Sequence, residues 1–311
     1  MKPSPFTYHR PEGLDEALAV LAEVGGDGKV LAGGQSLLPI LSMRLAAPAH
    51  LVDVNRLAEL AYVRTGPDGV RVGALARHAA VERDEAAHAV QPLLRQALRL
   101  VAHPTIRNRG TSVGSIAHAD PSGELTAVLA LTGGSVTLAR AAGRREVGAA
   151  DFFLGPLESA VGAGELAVEA SFPAFPPGSG TAFVEVARRH GDYAVCGVAA
   201  VVTLDGDGRV VSARTSYVSV SPVPVVVDVT AAAPSGRVDE IGGDPPHHVG
   251  RHALTDAASW AGAGEAALSH LDPEADIHAS VQYRSHLARV LTARALAQAS
   301  SVALSSTRAA A

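Results

Sequence analysis

A short polar loop interrupts two apolar runs near the N-terminus of this 311-residue chain. The stretch 31-LAGGQSLLP-39 places Gly33, Gly34, Gln35 and Ser36 behind the apolar run KVL and before LLPIL. Glycines at the end of a strand let backbone N–H groups approach a ligand closely, and Ser36 adds a hydroxyl donor. The pattern is compatible with a diphosphate-binding loop or with a tight turn between two buried elements, and the loop alone does not separate these alternatives.

A second glycine-rich loop, 107-RNRGTSVGSIAHADPSGE-124, carries the same donor-rich chemistry. Its candidate donors are the hydroxyls of Thr111, Ser112 and Ser115 and the backbone at Gly110 and Gly114. Glu124, at its end, is a candidate acceptor for a ribose or adenine donor. Two such loops can hold one diphosphate from both sides, whereas a surface loop that satisfies its own backbone is the structural alternative.

Composition narrows the classes of protein. A net charge of −5 and a pI near 6.2 provide no basic field for nucleic acid. The sequence contains no long uninterrupted apolar segment, and its N-terminus lacks the apolar region of a signal peptide, so we expect no membrane insertion and a cytoplasmic location. The single cysteine, Cys196, permits no internal disulfide and no cysteine-ligated cluster. Any iron–sulfur chemistry must therefore reside on another chain.

Hydrophobic periodicity predicts alternating strands and helices early in the chain and antiparallel hairpins later. The predicted helices are 13–25, 36–46, 79–102, 125–133, 253–268 and 280–299. The predicted strands are 29–33, 50–57 and 70–76, with hairpins over 134–153 and 198–220. Three prolines and two glycines in 172–182 indicate a connection between domains, and 230–250 is predicted to be a loop.

The two loops and three further segments resemble the FAD-binding medium subunits of the molybdenum hydroxylases, the family of xanthine dehydrogenase and aerobic carbon monoxide dehydrogenase. The blocks that carry the resemblance are 30-VLAGGQSLLP-39, 106-IRNRGTSVGSIAHADPSGEL-125, 151-DFFLGPLESAVGAGELAVEASFP-173, 185-EVARRHGDYAVCGVAA-200 and 275-ADIHASVQYRSHLARVLTARAL-296. Together they cover nearly the whole chain in the family's order.

The resemblance implies an α+β fold. Residues 1–175 would form a PCMH-type FAD-binding domain of two α/β subdomains, about 1–57 and 58–175. Residues 176–300 would form a C-terminal domain with an antiparallel sheet and helices, as in the carbon monoxide dehydrogenase flavoprotein. Residues 301–311 would be a tail.

The resemblance also implies the site. FAD would bind non-covalently between the two subdomains, with its diphosphate held by the two loops. Tyr193, in GDYA, would lie beside the isoalloxazine and is the only candidate for a catalytic residue. Glu124 would lie near the adenosine half, and Leu166 would lie against the flavin or adenine. The cofactor-binding positions are Leu31, Ala32, Gly33, Gly34, Gln35, Ser36, Leu37, Thr111, Ser112, Gly114, Ser115, Glu124, Leu166 and Tyr193. No metal site is expected on this chain.

The implied activity is electron relay within a heteromeric dehydrogenase. A large subunit would carry molybdopterin, a small subunit would carry a [2Fe–2S] cluster, and this chain would pass electrons through FAD to a terminal acceptor. Substrate specificity would then reside on a partner. Two alternatives from other classes are a stand-alone FAD-dependent oxidoreductase that acts directly on a small molecule, and a flavin-free homologue that serves in assembly.

Several motifs compete with this interpretation. Residues 110-GTSVG-114 match the nucleophile elbow of hydrolases with Ser112 as nucleophile, but the flanking segments do not suit a strand and a helix. His247, His248 and His252 could bind a metal on a helix, although the surrounding prolines favour a solvated loop. Val113 stands where the family pattern T-I-G-G-S has a glycine, so we expect its Cβ to restrict the backbone and to crowd the diphosphate.

Overall fold

The computed structural model describes residues 2–234 and 253–310. They divide into two compact units. Unit 1 comprises Met1–Asp120 and Gly133–Pro173, and unit 2 comprises Pro121–Thr132 and Ala174–Ala311. The chain therefore enters unit 2 twice, first for a short excursion and then for its C-terminal half.

Unit 1 begins with a three-stranded parallel sheet in the order β1-β3-β2. Its strands are β1 (Thr7–His9), β2 (Gly28–Leu31) and β3 (His50–Asp53). In the register of β2 and β3, Leu31 lies opposite Asp53. Because the two strands are parallel, the segments that follow them leave the sheet at the same edge. The first glycine loop is one of these segments.

A five-stranded antiparallel sheet forms the second part of unit 1, in the order β4-β5-β10-β6-β7. Its strands are β4 (Val63–Gly66), β5 (Gly69–Gly73), β6 (Ser135–Arg140), β7 (Gly143–Gly148) and β10 (Leu166–Pro173). A short hairpin consists of β8 (Phe153–Gly155) and β9 (Glu158–Ser159). The predicted hairpin over 134–153 is confirmed by β6 and β7.

The helices of unit 1 are short and cover these sheets. They are α1 (Leu14–Val24), α2 (Leu37–Ser42), α3 (His78–Arg83), α4 (Glu85–Val90), α5 (Pro92–Leu98), α6 (Pro104–Arg107), α7 (Ser112–His118) and α9 (Ala149–Phe152). The prediction of one helix over 79–102 is wrong. Asp84 caps α4 by accepting from the N–H of Ala87, and Pro92 begins α5, so two local signals break the run.

Unit 2 is built on a four-stranded antiparallel sheet in the order β11-β12-β13-β14. Its strands are β11 (Ser179–Ala187), β12 (Ala194–Leu204), β13 (Val210–Val218) and β14 (Val226–Asp228). This sheet confirms the predicted hairpin over 198–220. Cys196 is fully buried in β12, and burial raises the pKa of its thiol to about 12.

Three helices pack against this sheet: α8 (Glu124–Thr132), α10 (Ala261–Leu268) and α11 (Val281–Ala310). Helix α8 is buried on nearly all sides, and it packs against β12 and β13. Helix α11 packs against β11, β12 and α10. Trp260 is fully buried beside these helices and donates its indole N–H to the carbonyl of Leu254 at 3.0 Å.

Helix α11 continues to Ala310, so the segment predicted to be a tail, 301–311, is helical up to that residue. Gly180 of β11 lets the backbone of α11 approach the sheet closely at Ala299 and Ala303. A Cβ on Gly180 would lie 2.2 Å from the carbonyl oxygen of Ala299 and from the nitrogen of Ala303, so only glycine lets the two backbones approach. Ser300 adds a hydrogen bond from its hydroxyl to the carbonyl of Leu296. Among the described helices, none is long and apolar enough to cross a membrane.

Candidate functional site

The two glycine loops meet within unit 1. A Cβ on Gly33 would lie 2.6 Å from the carbonyl oxygen of Arg109, 2.7 Å from Cα of Gly110 and 3.1 Å from the nitrogen of Thr111. The first two distances are shorter than van der Waals contacts allow, so a side chain at position 33 would push the loops apart. The first loop therefore needs glycine because the second loop lies against it.

The first loop presents a row of backbone donors. No protein acceptor is found, within the described ranges 2–234 and 253–310, for the N–H groups of Gly33, Gly34, Gln35 and Ser36. Gly34 has a φ of +74°, a conformation that side chains rarely adopt. Successive N–H groups in such a turn form a concavity that attracts anions. This arrangement favours the diphosphate interpretation of the loop over the structural turn.

The second loop uses most of its own donors. The Thr111 hydroxyl caps α7 by accepting from the N–H of Gly114 at 3.2 Å, and the N–H of Ser115 donates to the carbonyl of Thr111 at 3.0 Å. The N–H of Ser112 donates to the carbonyl of Ala76 at 3.2 Å. The second loop therefore presents fewer free N–H groups than the first.

The Ser112 side chain points into the core, where its hydroxyl lies 3.3 Å from Nδ1 of His78. His78 is also buried, and its backbone N–H donates to the carbonyl of Gly110. Burial lowers the pKa of His78 to about 4, with a smaller contribution from the charge of Arg107. The imidazole is consequently neutral at pH 7, and it supports the second loop from behind.

The backbone at Val113 is not restricted as expected, whereas crowding of the diphosphate by its Cβ stays a prediction. Val113 lies in the first turn of α7 with helical backbone angles, and its side chain is 1% exposed. The Cβ is therefore compatible with the backbone, and the isopropyl group is packed in the core of unit 1. Position 113 does not require glycine in this chain.

Two side chains that were not predicted from the sequence, Asn55 and Arg77, connect the loops. Asn55 donates from Nδ2 to the carbonyl of Ala32 at 2.8 Å and to the carboxylate of Asp53 at 2.6 Å. Arg77 donates from Nη2 to Oδ1 of Asn55 at 2.7 Å and from Nη1 to the carbonyl of Arg109 at 2.5 Å. The sequence contained a signal for Asn55. This residue follows strand β3, the first loop follows strand β2, and parallel strands bring the segments that follow them to the same end of the sheet.

The remaining predicted positions are distributed over both units. Leu31 ends β2 and Leu37 begins α2, so they flank the first loop. Leu166 begins β10 in unit 1 and is 4% exposed. Glu124, at the start of α8, is buried, and Tyr193, between β11 and β12, is 64% exposed; both belong to unit 2.

The competing motifs gain no support. Ser112 is 0% exposed, and the described residues place no carboxylate in hydrogen-bond contact with His78, so the pair lacks the access and the acid that a hydrolase needs. His247, His248 and His252 lie outside the described residues.

Comparison with known proteins agrees with this geometry. Residues 4–175 match the profile of the FAD binding domain in molybdopterin dehydrogenase, a range that includes both glycine loops. Residues 249–299 match the profile of the CO dehydrogenase flavoprotein C-terminal domain. The first match covers more than half of the chain.

Full-length relatives are similar over nearly their whole length. The alpha subunit of the 6-hydroxypseudooxynicotine dehydrogenase complex of Paenarthrobacter nicotinovorans is 38% identical over 96% of both chains. The carbon monoxide dehydrogenase medium chain of Hydrogenophaga pseudoflava is 35% identical over 95% of this chain and 97% of that chain. A chain of quinoline 2-oxidoreductase from Pseudomonas putida 86 superposes with a TM-score of 0.84 at 35% identity, covering 98% of this chain and all of that one. The chain therefore belongs to the family of FAD-binding medium subunits of the molybdenum hydroxylases.

Proposed function

We propose that this chain binds FAD non-covalently and holds its diphosphate between the two glycine loops of unit 1. The proposal rests on the row of free backbone N–H groups from Gly33 to Ser36. This row begins at the point where the first loop contacts the second. A diphosphate accepts several hydrogen bonds at once, and backbone N–H groups supply them without side-chain entropy. The residues present thus fit the group.

We further propose that the chain relays electrons in a complex with a large molybdopterin subunit and a small [2Fe–2S] subunit. FAD, when bound, can exchange electrons both singly with a cluster and in pairs with an acceptor. This chain's residues bind and orient the cofactor and need not touch the organic substrate. Support comes from relatives named as medium chains of carbon monoxide dehydrogenase and from the single cysteine, which excludes a cluster on this chain.

Roles for three further residues belong to the same proposal. Tyr193 offers an exposed ring that can shield one face of the isoalloxazine. Glu124 would accept a hydrogen bond from the adenosine half, and Leu166 would supply an apolar contact. A cytoplasmic location is also proposed, in keeping with a chain whose single cysteine allows no internal disulfide.

Purification of the chain alone, followed by an absorbance spectrum, tests the cofactor. The expected result is a yellow protein, or a colourless one that takes up FAD stoichiometrically when reconstituted. A colourless protein that cannot be reconstituted would overturn flavin binding and favour the assembly alternative.

Co-expression with adjacent coding sequences tests the complex. The expected result is co-purification with one subunit that has cysteine-cluster motifs and one that has molybdopterin motifs. A flavin-loaded chain that purifies alone and oxidises a small molecule without partners would instead establish the stand-alone oxidoreductase.

A further inference from the structure

Two consecutive carbonyl groups of the first loop accept hydrogen bonds from side-chain amides. The carbonyl of Ala32 accepts from Nδ2 of Asn55, and the carbonyl of Gly33 accepts from the side-chain amide of Gln35 at 2.9 Å. Two side-chain amides therefore occupy two consecutive carbonyl groups at the point where the sheet ends.

These two bonds determine where the N–H groups point. In a trans peptide the C=O and N–H of one unit point in opposite directions, and the described chain contains no cis peptide. With its carbonyl turned toward Asn55, the Ala32–Gly33 peptide directs the Gly33 N–H away from Asn55. The Gln35 amide has the same effect on the N–H of Gly34. The free donors are consequently oriented by side chains that lie behind them.

Arg77 extends this arrangement to the second loop. Its two terminal nitrogens donate to Asn55 Oδ1 and to the Arg109 carbonyl, so one rigid guanidinium joins the support of both loops. The Asn55 amide can be oriented in one way only, because its oxygen faces a donor in Arg77 and its nitrogen faces acceptors in Ala32 and Asp53. No carboxylate in the described chain forms an ion pair with Arg77.

We propose that Asn55 and Arg77 are positioning residues of the diphosphate site, and we name the pair the loop clasp. The clasp orients the N–H groups of the first loop and holds the second loop against it before the cofactor arrives. This inference rests on the proposed function, because it assumes that the diphosphate occupies those N–H groups. A preorganised row of donors binds an anion more tightly than a mobile one, since the ordering cost is met during folding.

The dissociation constant for FAD in Asn55→Ala and Arg77→Ala, measured with apo-protein by flavin fluorescence, tests the clasp. Each variant loses a bridging hydrogen bond to a charged group, so we expect FAD affinity to fall about 10- to 100-fold. Because both residues act in one bridge, their effects should not add. The double variant should have the same FAD affinity as whichever single variant binds FAD more weakly. Arg99→Ala, which removes an exposed arginine from unit 1, serves as the control and should bind FAD like the wild type.

Arg77→Lys separates positioning from charge. Lysine keeps the positive charge but lacks the two-pronged fork, so it cannot bridge Asn55 and Arg109. We expect Arg77→Lys to weaken FAD binding as much as Arg77→Ala. Wild-type affinity in Arg77→Lys together with loss in Arg77→Ala would show that only the charge matters, and the clasp would be refuted.

Hydrogen exchange in the apo-protein provides a readout that does not depend on FAD. Loss of the clasp should accelerate exchange of the hydrogen-bonded amides over 109–115, with exchange in the β11–β13 sheet unchanged. Unchanged exchange and unchanged FAD affinity in both alanine variants would overturn the clasp while leaving the diphosphate site intact. If Gly33→Val also retained full FAD affinity, the site itself would be refuted.

Discussion

His78 shows how a single buried residue supports the predicted site. Its ring contacts the Ser112 hydroxyl, and its backbone N–H holds the carbonyl of Gly110, so it fixes both ends of the turn that Gly33 touches. The sequence offered no reason to select it among 13 histidines. Only its position, next to the start of α3 and behind the second loop, assigns it this role.

The buried imidazole predicts a pH dependence of stability. The folded pKa of His78 is about 4 and the unfolded value is 6.5, so the unfolded chain binds more protons between these values. Stability from this residue is present above pH 6.5 and is lost as the pH falls toward 4. Urea unfolding measures how much the free energy of unfolding decreases between pH 7 and pH 4.5. This decrease should be about 2–3 kcal/mol smaller in His78→Gln than in the wild type. His270→Gln changes an exposed histidine and should follow the wild type; equal losses in all three proteins would contradict the prediction.

Glu185, in unit 2, predicts the opposite dependence of stability on pH. It lies in β11 opposite Gly197, its Oε2 has no hydrogen-bond partner, and burial raises its pKa to about 7. The folded chain then binds more protons than the unfolded chain between pH 4.5 and 7, so stability falls as pH rises through this range. Glu185→Gln should be about 1–2 kcal/mol more stable than the wild type at pH 8, a value reduced because the side chain is only partly buried.

The gain in stability of Glu185→Gln should nearly vanish at pH 5, where the Glu185 carboxyl of the wild type is protonated. Glu274→Gln, an exposed change in the same unit, serves as the control and should not gain stability at pH 8. If Glu185→Gln were no more stable than the wild type at pH 8, the carboxyl of Glu185 would have to be solvated or paired in solution.

At the scale of elements, close backbone contacts decide where glycine is required. Gly262 and Gly264 both lie in α10, two residues apart. A Cβ on Gly264 would lie 2.5 Å from the carbonyl oxygen of Arg289 in α11, whereas a Cβ on Gly262 would meet no atom within 4 Å. The same residue type is therefore structural at one position and replaceable at the other.

Alanine at these two positions should change stability in opposite directions. Gly262→Ala should stabilise the protein by about 0.5–1 kcal/mol, because alanine favours the helix and no contact opposes it. Gly264→Ala should destabilise it by about 1–3 kcal/mol, because the two helices must move apart. Denaturant unfolding of both variants measures the effects, and a stabilised Gly264→Ala would show that α10 and α11 are not in close contact.

Sequence patterns predicted the elements better than their ends. The hairpins were evident from turn residues between apolar runs, but the single helix over 79–102 was not, because its apolar periodicity outweighed the cap at Asp84 and Pro92. The close approach of α11 to β11 was not predictable either, since it joins Gly180 to Ala299 and Ala303, over a hundred residues away. Local signals describe local structure, and packing determines the rest.

For the candidate site, the sequence identified the donors but not their supports. Gly33 and Gly34 were evident because glycine in a polar loop is a local signal. Arg77 was not, because it is an ordinary polar residue until folding places it beside the Arg109 carbonyl, and Asn55 was indicated only by its position after β3. Val113 was misjudged for the same reason, since its backbone conformation depends on the helix that follows.

At the scale of the whole molecule, the predicted FAD-binding positions lie in both compact units. Unit 1 contains both glycine loops, and unit 2 contains Tyr193 and Glu124. The chain has one cysteine, and none of its described helices could cross a membrane. The central claim is that the two glycine loops hold the FAD diphosphate.

The FAD content of purified Gly33→Val, compared with that of Gly66→Val, tests this claim most directly. A side chain at Gly33 would strike Arg109 and Gly110, whereas Gly66 has open space around it, so the two variants match in chemistry and differ in place. We predict stoichiometric FAD in the wild type and in Gly66→Val, and no measurable FAD in a folded Gly33→Val, with circular dichroism confirming the fold. Full FAD occupancy in Gly33→Val would contradict the claim.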